Sequence, residues 1–270
     1  MNRAIAFVLI LTMITATLQG QTTPQKHISV GGVAVDIIEP AKVVRGDMLI
    51  LPGWNFAKER WCNESSLCTK ALAQGYRLIL PEMHKSVYAE HYFPETRQDW
   101  RNEPTLLWIT DTLIPYLQDK YNIFTSTQNY VIGLSTGARG VVLCCIKTGH
   151  LFKAGAALSG DYDQTTMQND NLMRGFYGPY AQFANRWKNC DNPTTMIDKL
   201  LVPIYFGHGM NDKVVPPEQT TTFYQKLVKR YPHGGHKLHC ATNAGHDFQY
   251  WDSEVDTILD FFAQFHKTTP

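Results

Sequence analysis

"YVIGLSTGARG", Tyr130 to Gly140, sets a single hydroxyl, that of Ser135, between two glycines, Gly133 and Gly137. Two readings compete. The glycines either belong to an ordinary turn from strand into helix, or let the backbone bend so sharply that Ser135 is held out as a nucleophile. The flanks favour the second. "NYVI" before the motif reads as a strand, and "GVVLCCIKTG" after it reads as a helix ended by a glycine. Strand, turn and helix in that order are the setting a nucleophile elbow requires. Such an elbow puts Ser135 at the carboxyl edge of a sheet. The next helix then aims its partly positive N-terminus at developing negative charge.

A serine hydroxyl is a weak nucleophile at neutral pH, so it needs a base, and the base needs an orienting acid. With an elbow of this kind, the acid and then the histidine follow the serine in chain order, each after a later strand. "VPIYFGHGMNDKVVPP" places Asp212 in a turn just past an apolar run, and "CATNAGHDFQYW" places His246 just past the last one. An aspartate that only caps a turn and a histidine that only sits in a surface loop are the plain alternatives. Three matches at three strand ends, in the required order, argue against both together. Asp247 is the rival acid, but a sequence neighbour of His246 rarely faces its ring; Asn211 carries no charge. For the oxyanion hole, one donor is the backbone N–H of Thr136. The other belongs to the loop "LILPGWNF", with Trp54 nominated and Asn55 as the fallback.

Outward from these motifs, the chain alternates short apolar runs with helical patterns. "HISVGGVAVDII" reads as an opening hairpin turning at Gly31 and Gly32. Further strands are expected at 47–53, 76–83, 129–134, 153–160, 202–209 and 237–242. Near-continuous apolar runs of this length suit strands buried on both faces, as in a parallel sheet. Helices are expected over 66–74, 104–121, 136–148, 217–231 and 253–266. In the second, Leu106, Ile109, Leu113 and Leu117 form a core-facing stripe. The alternation predicts one α/β domain over 21–270 with a mainly parallel central sheet flanked by helices. Residues 161–200 interrupt it: some forty residues, rich in Asn, Gln and aromatics, between two strands. Insertions of this kind form lids or binding walls. Tyr177, Tyr180 and Trp187 are the aromatics expected on its inner, substrate-facing side.

Composition excludes several classes. The 270 residues are 44% hydrophobic and 18% charged, with a formal net charge of +1. That gives no basic field for nucleic acid and no acidic tail. Arg3 and the apolar run "AIAFVLILTMITA" are the n- and h-regions of a signal peptide over 1–20, implying secretion or a periplasmic location. No later apolar run is long enough to span a membrane.

The six cysteines are therefore read for an oxidising compartment. Cys144 and Cys145 read as buried thiols in a helix. Cys62–Cys68 and Cys190–Cys240 are the expected bridges. "NES" at Asn63 matches a glycosylation sequon. His233, His236 and His239 straddle a Gly-Gly turn and read as a solvated loop. No Cys/His spacing reads as a zinc site, and no cofactor is implied.

"GLSTG", "GHGMNDKVVP" and "AGHDFQYW", spaced as they are, resemble the α/β-hydrolase superfamily. "LIPYLQDKYNI" and "GPYAQFANRWKNCDNP" are similar to its secreted esterase branch, which includes esterase D and feruloyl or acetylxylan esterases. The likeness spans about residues 47 to 265. This chain departs from the branch at Pro52-Gly53, where His-Gly is usual, and at Ala138, where a second glycine is usual. The resemblance implies an α/β-hydrolase fold, with a lid-like insertion before the acid-bearing strand. It also implies Ser135 as nucleophile, Asp212 as acid and His246 as base. Three function classes follow: a serine carboxylic-ester hydrolase, a peptidase or acyltransferase on the same fold, and a binding module with an unused triad. The first takes small-molecule or carbohydrate-linked esters. Peptidases of this fold often add a propeller, for which this chain has no room. Intact Ser, Asp and His argue against the binding module.

Overall fold

The computed structural model describes residues 25–266. The expected signal peptide lies outside the described residues. The hairpin forms as its glycines dictate. β1 (Gln25–Val30) and β2 (Val33–Ile38) pair antiparallel, and Gly31 and Gly32 turn at φ of 58° and 86°. Paired positive φ is what a two-residue hairpin turn needs and what glycine adopts without cost.

After β3 (Gly46–Leu51), the short helix α1 (Arg60–Glu64) is joined to α2 (Leu67–Ala73) by the Cys62–Cys68 disulfide. The chain continues with β4 (Tyr76–Pro81), α3 (Ile114–Tyr121), β5 (Asn129–Leu134), α4 (Thr136–Thr148) and β6 (Ala154–Leu158). Helices α5 (Asn171–Tyr177) and α6 (Tyr180–Asn189) lie in the insertion. Then come β7 (Ile204–Gly209), α7 (Glu218–Arg230), β8 (Lys237–Ala241), α8 (Phe248–Ser253) and α9 (Val255–Ala263).

The strands form one sheet in the order β1-β2-β4-β3-β5-β6-β7-β8, parallel from β4 to β8. Alternate residues of each strand feed opposite faces. Leu49, Leu51 and Val131 meet Leu113, Leu117 and Val141 on one side. Met48, Ile50 and Ile132 meet Trp61, Leu67, Ile258 and Phe262 on the other. Strands covered on both faces need apolar residues at every position, hence the unbroken apolar runs. This is the α/β-hydrolase fold. From β3 the chain steps to β4 on one side and later to β5 on the other. The carboxyl ends of β3 and β5 therefore flank a topological switch point, where open α/β sheets place their sites.

Two details depart from the sequence pattern. The helix expected over 104–121 is not one α-helix, because Trp108–Leu113 is a π-helical turn in which the Ile114 N–H donates to Ile109 O. Pro115 has no N–H for Asp111 O and its ring crowds that carbonyl, so the turn widens just before it. The Cys190–Cys240 bridge does not form, and both thiols are free. Cys190 closes α6 and packs into the aromatic cluster of the insertion, whereas Cys240 lies on the edge strand β8.

Candidate active site

Ser135 follows β5 directly and adopts φ 54°, ψ −126°. A non-glycine residue held there costs on the order of 1–3 kcal/mol, so its surroundings must enforce it. They do so by contact. A Cβ on Gly133 would lie 2.4 Å from the Gly137 carbonyl oxygen, and one on Gly137 would lie 2.4 Å from Leu51 O. Neither glycine takes a positive φ; both are required by close approach. The Ser135 N–H donates to Leu158 O at 2.8 Å, tying the elbow to β6.

Thr136 opens α4, and its N–H meets no acceptor among the described residues; neither does that of Trp54. The loop carrying Trp54 presses on the elbow, since a Cβ on Gly53 would sit 3.3 Å from Ser135 Cβ. Tyr88 holds that loop from behind, its hydroxyl donating to Pro52 O at 2.7 Å. Asn55 is placed differently. Its N–H is already spent on His84 O at 2.7 Å, and its side chain is exposed.

The turn after β7 presents Asp212 with its side chain wholly buried. Oδ1 accepts the N–H groups of Val214 and Val215 at 2.8 and 2.9 Å. Oδ2 accepts from His246 Nδ1 at 2.6 Å and lies 3.2 Å from His208 Nε2. Burial alone would push the carboxyl up. The hydrogen bonds from the two histidines, with the charge on His246, outweigh burial and hold it well below the usual carboxylate range. The ring of His246 stands edge-on to Trp251 at 5.1 Å, and Trp251 Nε1 donates to Ser159 Oγ at 3.1 Å. Asp247 is turned away to cap α8 through the Tyr250 N–H at 2.9 Å. Asn211 is exposed. Ser135 Oγ makes no hydrogen bond among the described residues; the bond between nucleophile and base is often long until substrate arrives.

The insertion behaves differently from its sequence expectation. Tyr177 and Trp187 are completely buried. Tyr177 accepts from Arg139 Nη2 through its hydroxyl, and Trp187 Nε1 donates to Gly178 O. They pack against Trp100, Phe176 and Val87, with Tyr180 half-buried beside Trp187 at 5.6 Å. The apolar area of Tyr177 and Trp187 therefore holds the insertion together and is not presented to a ligand. Trp54 is the ring through which this cluster reaches the elbow, 4.6 Å from Trp100 and half-exposed.

Sequence reasoning missed Arg139, four residues past Ser135. It is fully buried and pairs with Asp161 at 2.9 Å, and it also meets Gln164, Tyr177 and the Asp191 carbonyl. It also missed His208. Arg139 had no local mark, because its partners lie 22 to 52 residues away; His208 stood inside the quoted acid motif, four residues before Asp212, but was not read for a role. Among the described residues, no group of three His, Cys, Asp or Glu side chains is placed to hold a metal ion.

Residues 112–269 match the family model described as the prolyl oligopeptidase family. No curated protein sequence matches. Among solved structures, the fluorophosphonate-binding serine hydrolase FphF of Staphylococcus aureus superposes with a TM-score of 0.68 at 14% identity, covering 89% of this chain and 98% of that one. A ferulic acid esterase gives 0.67 at 16% identity, over 90% and 98% of the two chains. The acylaminoacyl peptidase of Pyrococcus horikoshii gives 0.66 at 13% identity, over 93% of this chain but 43% of its own.

Proposed function

The chain belongs to the prolyl oligopeptidase family and is a serine hydrolase of the α/β-hydrolase fold, and from that premise we propose that Ser135, His246 and Asp212 form a catalytic triad that cleaves carboxylic esters. The carrying observation is the His246–Asp212 contact of 2.6 Å at the same sheet edge as an elbow serine held at φ 54°. His246 takes the Ser135 proton on Nε2 while Oγ attacks the ester carbonyl. Asp212 fixes Nδ1–H and stabilises the imidazolium. The oxyanion faces the N–H groups of Thr136 and Trp54, each worth about 10²–10³ in kcat. His246 then protonates the leaving alcohol, and water repeats the sequence to release the acid.

The ester reading is supported by the neighbour described as a ferulic acid esterase, and the peptidase alternative by the family match. The chain spans 43% of the acylaminoacyl peptidase it matches. The signal peptide expected over 1–20 and the Cys62–Cys68 bridge support a secreted or periplasmic location. Acetyl, feruloyl and longer-chain esters, assayed beside an N-acyl amino-acid p-nitroanilide, test the reading. We expect turnover of one or more esters well above that of the anilide. Anilide cleavage exceeding every ester would reverse the assignment to a peptidase.

A further inference from the structure

We propose that His208 is a positioning residue for the acid of the triad, held in its Nε2–H form by Thr220 so that it clamps the Asp212 turn. The inference rests on the triad reading above. His208 sits on β7 with no exposed surface. Its Nε2 lies 3.1 Å from Val215 O and 3.2 Å from Asp212 Oδ2. A backbone carbonyl and a carboxylate whose other oxygen already takes two N–H groups are both acceptors, so a bare Nε2 would face two lone pairs. Nε2 must therefore carry hydrogen. On the other side of the ring, Nδ1 lies 2.6 Å from Thr220 Oγ1, a hydroxyl that can donate to it. With the Thr220 hydroxyl donating to Nδ1, both ring nitrogens are satisfied.

The consequence is a closed clamp. Val214 and Val215 give their N–H groups to Oδ1, and His208 gives its N–H to the Val215 carbonyl and the Oδ2 side of the same turn. Asp212 cannot swing toward solvent or toward Asn211, and Oδ2 stays aimed at His246 Nδ1. The other ionisable groups nearby are occupied elsewhere. Asp247 caps α8, Glu254 takes His239 and the Tyr205 hydroxyl, and burial pushes the Tyr162 phenol well up. His208 is thus the donor that shares Oδ2 with the base.

The tautomer can be read without any substrate. Nitrogen-15 NMR of the histidine-labelled protein should show His208 neutral with Nε2 protonated and Nδ1 bare, in wild type. A neutral Nδ1–H form, or a ring protonated at both nitrogens, would overturn the proposal whatever the protein hydrolyses. The kinetic arm uses His208→Met, His208→Gln and Thr220→Val. Removing the neutral donor leaves more of the Asp212 charge for the imidazolium. His208→Met should therefore move the acid limb of the kcat/KM profile upward by about one pH unit and lower kcat about tenfold. Gln keeps an N–H near the Nε2 position and should restore most of both. Thr220→Val, the smaller change, should shift the limb the same way. If His208→Met fails to fold, Thr220→Val carries the test. Active variants with an unmoved limb would reduce His208 to a packing residue. A wild type that fails to react with a fluorophosphonate would instead remove the triad reading itself.

Discussion

The Cβ that Gly137 lacks would lie 2.4 Å from the carbonyl oxygen of Leu51, so the glycine of the elbow and the end of β3 occupy one another's space. That contact sets how far the nucleophile turn stands from the loop carrying Trp54. The same missing atom would come 2.6 Å from Pro52 O. Both obstacles are backbone, which cannot rotate aside.

Gly137→Ala should therefore force the elbow and the oxyanion loop apart. A displacement near 1 Å at reacting groups costs about 100-fold in rate. We expect that loss in kcat/KM together with a lower Tm. Wild-type activity at wild-type Tm would show that the turn has room to spare.

The two aspartates beside the base separate cleanly. Asp212→Asn should lower kcat by about 10⁴, because the amide offers His246 the wrong partner. Asp247→Asn removes only a carboxylate cap on α8 and should cost at most about 1 kcal/mol of stability. Steady-state kinetics beside thermal melts decide the point; the reverse ranking would move the acid to Asp247.

The central strands were legible because burial on both faces leaves a continuous apolar signature, and the candidates Ser135 and Asp212 because each follows such a run; the edge strand β8 ahead of His246 is half-exposed and carries a weaker signal. The insertion was not legible. Aromatics that pack on one another and aromatics that await a ligand have the same composition, and only the burial of Tyr177 and Trp187 separates them. The π turn was hidden because an apolar stripe with helical spacing does not record which hydrogen bonds Pro115 removes. His236, read as part of a solvated loop, is buried and accepts the Ile204 N–H at 3.2 Å, a partner 32 residues away in sequence.

That burial makes His236 a source of acid sensitivity. Desolvation lowers its pKa from 6.5 to about 4. In the unfolded chain the ring takes a proton near pH 6.5, while in the folded protein it resists until about pH 4. Its neutral burial is thus no handicap above pH 6.5. Stability falls as pH drops from 6.5 toward 4, by on the order of 3 kcal/mol. Denaturant titrations across that window should show a flatter slope for His236→Asn, whose amide oxygen can still accept from Ile204. An equal slope in both proteins would place the sensitivity elsewhere.

The bridge pattern is open to a direct count. Unreduced, denatured protein should titrate four thiols, from Cys144, Cys145, Cys190 and Cys240. Replacing both Cys62 and Cys68 by Ser should cost about 2 kcal/mol, as expected for a short closed loop. Two thiols would restore the Cys190–Cys240 bridge.

The central claim is that Ser135 is a nucleophile activated by His246. It is tested most directly by reacting the protein with a fluorophosphonate and locating the adduct by peptide mass. The account predicts one adduct, on Ser135. It should vanish in a folded Ser135→Ala variant, and His246→Ala should slow its formation by at least about 10³. An adduct on another residue, or undiminished labelling of Ser135→Ala, would contradict it.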